Sequence, residues 1–130
     1  MTRSKYVLKH EDGRSEPIKD LDNASRLVIV DEERVGAEDI TFIYLKWEAR
    51  TSTHKRHIHE DAEEVMYILS GRARGGVGDG AEEVEFTQGD TVWVPRGMVH
   101  WADNPFDEPV EMLCVYTRPS LKSAGYTVTG

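Results

Sequence analysis

Three histidines and a run of carboxylates stand at spacings that suit a divalent metal. His57 and His59 are two residues apart. Along a strand such residues face the same side, so both imidazoles can aim at one point. Glu64 follows a polar turn over 60–62 and opens an apolar run, with Met66 and Ile68 as its same-face companions. Placed on a neighbouring antiparallel strand, it can join the pair as a third ligand. His100 lies beyond a Pro95-Arg96-Gly97 turn suited to a chain reversal, which would present it from another strand pair. Three neutral imidazoles with one carboxylate suit one borderline divalent ion per chain: manganese, iron, nickel, cobalt, copper or zinc. Two positions of an octahedron would stay open to water, oxygen or a substrate. His10 and His54 lack such partners and read as ordinary surface residues.

Short strands must hold these groups. Residues 27–30 and 40–47 are rich in β-branched and aromatic side chains and have strand length. Glu64–Ser70, 90–94 and Val110–Tyr116 continue the series, and turn formers separate them at Asp79-Gly80, Gly89, Pro95 to Gly97, Asn104-Pro105 and Glu108-Pro109. No long segment carries an apolar stripe at helical spacing. Turn-marked short strands mean an all-β sandwich or barrel. The polar stretch 1–26 is expected as an N-terminal arm or edge strand, with one barrel domain over 27–130. The glycines of 72–85 fit neither a Walker loop nor a dinucleotide fingerprint, and predict a hairpin turning near Asp79-Gly80.

Composition excludes several partners. With 130 residues the chain builds one core. A net charge of −8 with only 16 Lys plus Arg disfavours a nucleic-acid or anionic-membrane surface. Cys114 is the lone cysteine, so there is no intrachain disulfide and no reason to expect an oxidising compartment. No segment reads as a secretory signal or membrane span, and a cytoplasmic location is the expectation.

The two ligand stretches resemble the paired motifs of the cupin superfamily. The first motif has Gly, five residues, His-x-His, three or four residues, Glu, six residues and Gly. Here His57, His59, Glu64 and Gly71 match, and Thr51 replaces the leading Gly. The second has Gly, five residues, Pro-x-Gly, two residues, His, three residues and Asn. Gly89, Pro95, Gly97, His100 and Asn104 all match. Glu63 fits the shorter spacer but misses the count to Gly71, so Glu64 is taken as the ligand and Glu63 as its outward neighbour. The resemblance implies a double-stranded β-helix, or jelly-roll, barrel of a small single-domain metal-binding cupin. It further implies a metal-dependent enzyme, oxygenase- or dioxygenase-like or using other Lewis-acid assistance, on an oxygen-bearing small substrate. A non-catalytic ligand-binding or sensor cupin is the alternative, and an isomerase, epimerase or lyase the next.

Phe42, Tyr44, Met66, Trp93, Met98, Trp101 and Met112 are the candidates to line an apolar cavity. Met112, Cys114 and Tyr116 share one strand face, without parity deciding whether it is the inner one. Tyr44, Tyr67 and Tyr116 are the candidate acid or base groups. Cys114 at a strand centre reads as buried and inert. Val65, Tyr67 and Leu69 make the face opposite Glu64 apolar as well. Both faces then need cover, and a homodimer is the economical way to supply it.

Overall fold

A computed structural model describes residues 4–18 and 23–129. After a short 3₁₀ turn, the chain runs through β1 (Arg14–Glu16), β2 (Ala24–Val30), the helical turn α1 (Glu32–Val35), β3 (Thr41–Trp47), β4 (Thr51–Ile58) and β5 (Glu64–Ser70). There follow β6 (Arg72–Val77), β7 (Val84–Thr87), β8 (Thr91–Val94), β9 (His100–Asn104), β10 (Val110–Tyr116), the helical turn α2 (Leu121–Ala124) and β11 (Thr127–Val128). Two antiparallel sheets result, ordered β1-β2-β3-β10-β5-β8 and β11-β4-β9-β6-β7. The chain passes repeatedly from one to the other, and the fold is an all-β double-stranded β-helix barrel.

Strand parity decides what the barrel encloses. β3 buries Thr41, Ile43, Leu45 and Trp47, and β10 buries Val110, Met112, Cys114 and Tyr116. β5 turns Glu64, Met66 and Ile68 inward. The open parity question therefore resolves with the Met112–Cys114–Tyr116 face inside.

The expected hairpin is present, with β6 and β7 antiparallel and Gly75 opposite Val84. Gly76 has a packing reason, because a Cβ there would stand 2.4 Å from the Trp101 ring. Gly71, between β5 and β6, has φ 76° and would place a Cβ 2.2 Å from the Pro109 carbonyl oxygen, so the turn requires glycine. Thr51, where the motif has its first Gly, is buried and donates its hydroxyl to the Glu48 carbonyl. The left-handed residue of that turn is Arg50, at φ 57°, which relieves position 51 of any need for glycine.

The arm contributes β1, which pairs antiparallel with β2 at the sheet edge, and Ala24 already belongs to β2. Residues 1–3 and 19–22 of the expected arm lie outside the described residues. Among the described residues no helix is long and apolar enough to cross a membrane.

Candidate metal centre

The three histidines converge from adjoining segments of one sheet. In the β4–β9 pair, His57 and His100 are direct register partners. His100 thus sits on the strand beside His57, not on a separate strand pair as the turn alone suggested. His59 follows the end of β4, and the Gly97 N–H donates to its carbonyl oxygen at 3.0 Å. Ring centroids are 4.1 Å apart for His57 and His100, 4.9 Å for His57 and His59, and 5.0 Å for His59 and His100.

Glu64 arrives from the opposite sheet. β5 belongs with β10 and β8, so the expected neighbouring-strand route for this carboxylate is corrected to an approach across the barrel interior. The turn between His59 and Glu64 carries the chain between sheets, which the local spacing alone does not reveal. Glu64 Oε1 lies 3.2 Å from His100 Nε2 and 3.4 Å from His59 Nε2. Glu63 points outward and accepts a hydrogen bond from Trp93 Nε1 at 3.0 Å.

Backbone carbonyls orient the imidazoles. The Nδ1 atoms of His57, His59 and His100 lie 2.7, 2.8 and 3.1 Å from the carbonyl oxygens of Lys55, Gly125 and Met98. A carbonyl oxygen only accepts, so each Nδ1 carries a proton, and Nε2 is the atom of each ring left to bind a metal. The buried Nε2 atoms of His59 and His100 and Oε1 of Glu64 complete no well-aligned hydrogen bond among the described residues. Such a gathering of buried electron-rich atoms is unfavourable unless a cation or protons join it. One ligand-capable atom from each histidine lies within 4.8 Å of the others. The donor set thus fits a divalent ion.

Electrostatics within the cluster agree. Burial opposes ionisation of Glu64, yet its contacts with His100 and His59 hold the carboxyl well below its ordinary range. Burial likewise disfavours charge on His59, and Glu64 outweighs it to raise that imidazole. Tyr116 meets His59 edge-on at 5.1 Å. Burial, reinforced by Glu64, pushes the Tyr116 phenol and the Cys114 thiol well up, so both keep their protons. Cys114 is fully buried, in keeping with its expected inertness.

The cluster lies on the wall of a cavity of about 510 Å³. Met66 and Trp101 line it as expected. Phe42 and Tyr44 do not, because they alternate with the buried residues of β3 and take the outer face. Trp93 is 60% exposed and Met98 is also exposed, while Met112 is wholly buried in the core beyond the cavity wall. These five are corrections with one cause. Apolar residues occupy both faces of several strands, so side-chain type alone does not separate cavity from core or exterior. Leu45, Trp47, Phe86, Tyr126 and Arg26 line the cavity without having been singled out. The first two sit on the β3 face of Ile43, which the sequence does not separate from the face of Phe42 and Tyr44. Arg26 and Tyr126 lie in a weakly patterned arm and tail that offered no signal.

Comparison with known proteins agrees with this geometry. The Cupin domain family model matches residues 44–116, more than half of the chain. An uncharacterised protein of Methanocaldococcus jannaschii is 34% identical over 58 residues, or 45% of each chain, so the match spans less than half of that relative. The polyketide cyclase RemF of Streptomyces resistomycificus has the same fold, with a TM-score of 0.76 at 19% identity over 100% of this chain and 86% of its own. Bacillus subtilis oxalate decarboxylase, a protein with Mn(II) centres, has a TM-score of 0.69 at 25% identity, covering 81% of this chain and 28% of its own. All four converging residues fall inside the matched segment, and the chain belongs to the cupin family.

Proposed function

We propose that His57, His59, His100 and Glu64 hold one divalent transition metal, and that the protein is a metal-dependent enzyme acting on an oxygen-bearing small molecule. The observation that carries this reading is the convergence of the three imidazoles with a buried carboxylate, each Nδ1 lying against a backbone carbonyl, on the wall of an apolar cavity. A bound ion would supply Lewis acidity and open coordination positions to such a substrate. The chain's own part is to orient and to exclude water. The carbonyls of Lys55, Gly125 and Met98 fix the rings, and Leu45, Met66, Phe86 and Val94 keep the surroundings apolar. Tyr116 holds a proton beside Glu64 and is a candidate donor. Oxygen insertion and Lewis-acid-assisted rearrangement are the two reaction types to separate.

The test is metal analysis of tag-free protein, followed by oxygen uptake and product analysis with diketones, catechols and hydroxy-aromatic acids. About one equivalent of metal per chain is expected, with turnover of one class. Manganese is the first ion to supply, given the Bacillus relative. Negligible metal, with a melting temperature indifferent to added ions, overturns the reading. Saturable binding of these compounds without any turnover would instead favour a sensor-type cupin.

Within this reading the protein is a homodimer, built on the outer face of the β3-β10-β5-β8 region. Val65, Tyr67 and Leu69 are 40, 44 and 37% exposed there. Register places Val115 opposite both Val65 and Phe42, Leu113 opposite both Tyr67 and Tyr44, and Trp93 opposite Val65. An apolar face continuous across four strands calls for cover, and a second copy provides it. Sedimentation velocity is expected to give a dimer at micromolar concentration and a monomer for Tyr67→Lys with Trp93→Lys. A wild-type monomer would sink the idea.

A further inference from the structure

We infer that Arg26 is the specificity-determining residue of the cavity, and that the ligand is an amphipathic acid: an oxygen-bearing chelating end at the metal, an apolar body, and a carboxylate on the Arg26 guanidinium. The inference rests on the metal reading proposed above and names the substrate class for that site.

Arg26 lies on β2 opposite Leu45, with Ala24 and Val28 two residues away on the same face, and Val28 is fully buried. This inward parity puts the guanidinium on the cavity wall. It is the one Arg or Lys among the described lining residues. Its Nη2 donates to Glu16 Oε1 and to the Pro17 carbonyl oxygen, both at 3.2 Å. Glu16 is shared, since Arg14 Nε donates to its other oxygen at 2.7 Å. The described residues of the arm therefore engage one nitrogen of a group with five N–H donors. Nε of Arg26 is buried and has no hydrogen-bond partner among the described residues.

A buried donor without a partner is the costliest polar feature a cavity can keep, and a ligand oxygen gains most by meeting it. The same wall offers Leu45, Trp47, Met66 and Phe86, which suit an apolar ligand body. Planar pairing with a carboxylate is the interaction guanidinium geometry favours.

Matched probes test this: 3,4-dihydroxyphenyl acetate, propanoate and butanoate, each beside its methyl ester. The catechol supplies the chelating oxygens, and only the tail charge differs within a pair. Dissociation constants are measured calorimetrically on manganese-loaded protein. At one tail length or more, the acid is expected to bind about tenfold tighter than its ester. Arg26→Gln should bring that ratio close to one and leave ester binding within about twofold, since the ester draws little on the charge. Glu16→Gln removes a competing carboxylate and should widen the acid preference, which keeps the idea testable if Arg26→Gln does not fold. No preference in wild type, a preference intact in Arg26→Gln, or one unmoved by Glu16→Gln overturns the assignment. So does equal weakening of acid and ester, which means that Arg26 only fastens the arm. Bound manganese with acid and ester alike, or with neither compound bound, refutes Arg26 alone. Protein that takes up no manganese and binds neither compound refutes the metal reading with it.

Discussion

Replacing His100 with alanine is expected to empty the centre of metal, from about one equivalent per chain to less than about a tenth. Loss of an outer partner already weakens metal sites by about 10- to 100-fold, and loss of a ligand itself exceeds that. The substitution also strips Glu64, 3% exposed, of the nearer of its two imidazole contacts. Breaking a buried pair from one side destabilises by about 3 kcal/mol or more, because the remaining charge stays uncompensated. His100→Ala should therefore lose metal and lower the melting temperature of the metal-free protein.

Glu64→Leu separates those two consequences. It too should abolish metal uptake, but it removes the buried charge instead of orphaning it. Replacing buried ions by apolar groups of similar volume is often neutral or stabilising. Its metal-free form is expected to melt at or above the wild-type temperature. Glu63→Gln should bind metal normally, since Glu63 faces Trp93 and its amide oxygen can still accept that hydrogen bond. Metal analysis with thermal melts on the three variants decides the matter. Full metal content in Glu64→Leu would remove Glu64 from the ligand set.

The converging residues were legible because much of their geometry is local. Two residues apart on a strand means one face, and that is enough to join His57 to His59. Counting to Gly71 separated Glu64 from Glu63, and the turn at Gly71 explains why the count holds: position 71 accepts only glycine. What the spacing does not carry is which strands become neighbours. Glu64 crosses from the other sheet, and His100 lies beside His57, because sheet order depends on the whole chain. The cavity wall was less legible still. β3 reads as apolar on both faces, so Phe42 and Tyr44 could not be told from Ile43 and Leu45 until the register with β10 was known. Arg26 was hidden for a different reason. An arginine in a polar arm has no pattern to break, and only the antiparallel pairing of β2 with β3, which sets Arg26 opposite Leu45, turns it inward.

Asn104 closes the second ligand-bearing motif, and Asn104→Ala is expected to cost about 3 kcal/mol in stability while sparing the metal site. The side chain is fully buried. Its Nδ2 donates to the carbonyl oxygens of Glu108 at 2.8 Å and Glu48 at 3.0 Å, with Trp47 at 3.4 Å as a third acceptor. Its Oδ1 accepts from the Phe106 N–H at 3.0 Å. One amide thereby joins the end of β3, the end of β9 and the loop that leads into β10. Truncation leaves several buried backbone groups without partners, and a midpoint drop of about 10 °C follows for a domain of this size. Asn104→Asp should be worse than alanine, because a carboxylate would face carbonyl oxygens where the amide now donates. His100 occupies the opposite end of β9, roughly 13 Å away at strand rise, so protein that does fold should take up metal as wild type does. Thermal melts and metal content measured side by side distinguish this residue from the ligands. A midpoint change below about 2 °C, less than a single lost hydrogen bond produces, would mean that the barrel does not depend on this buried amide.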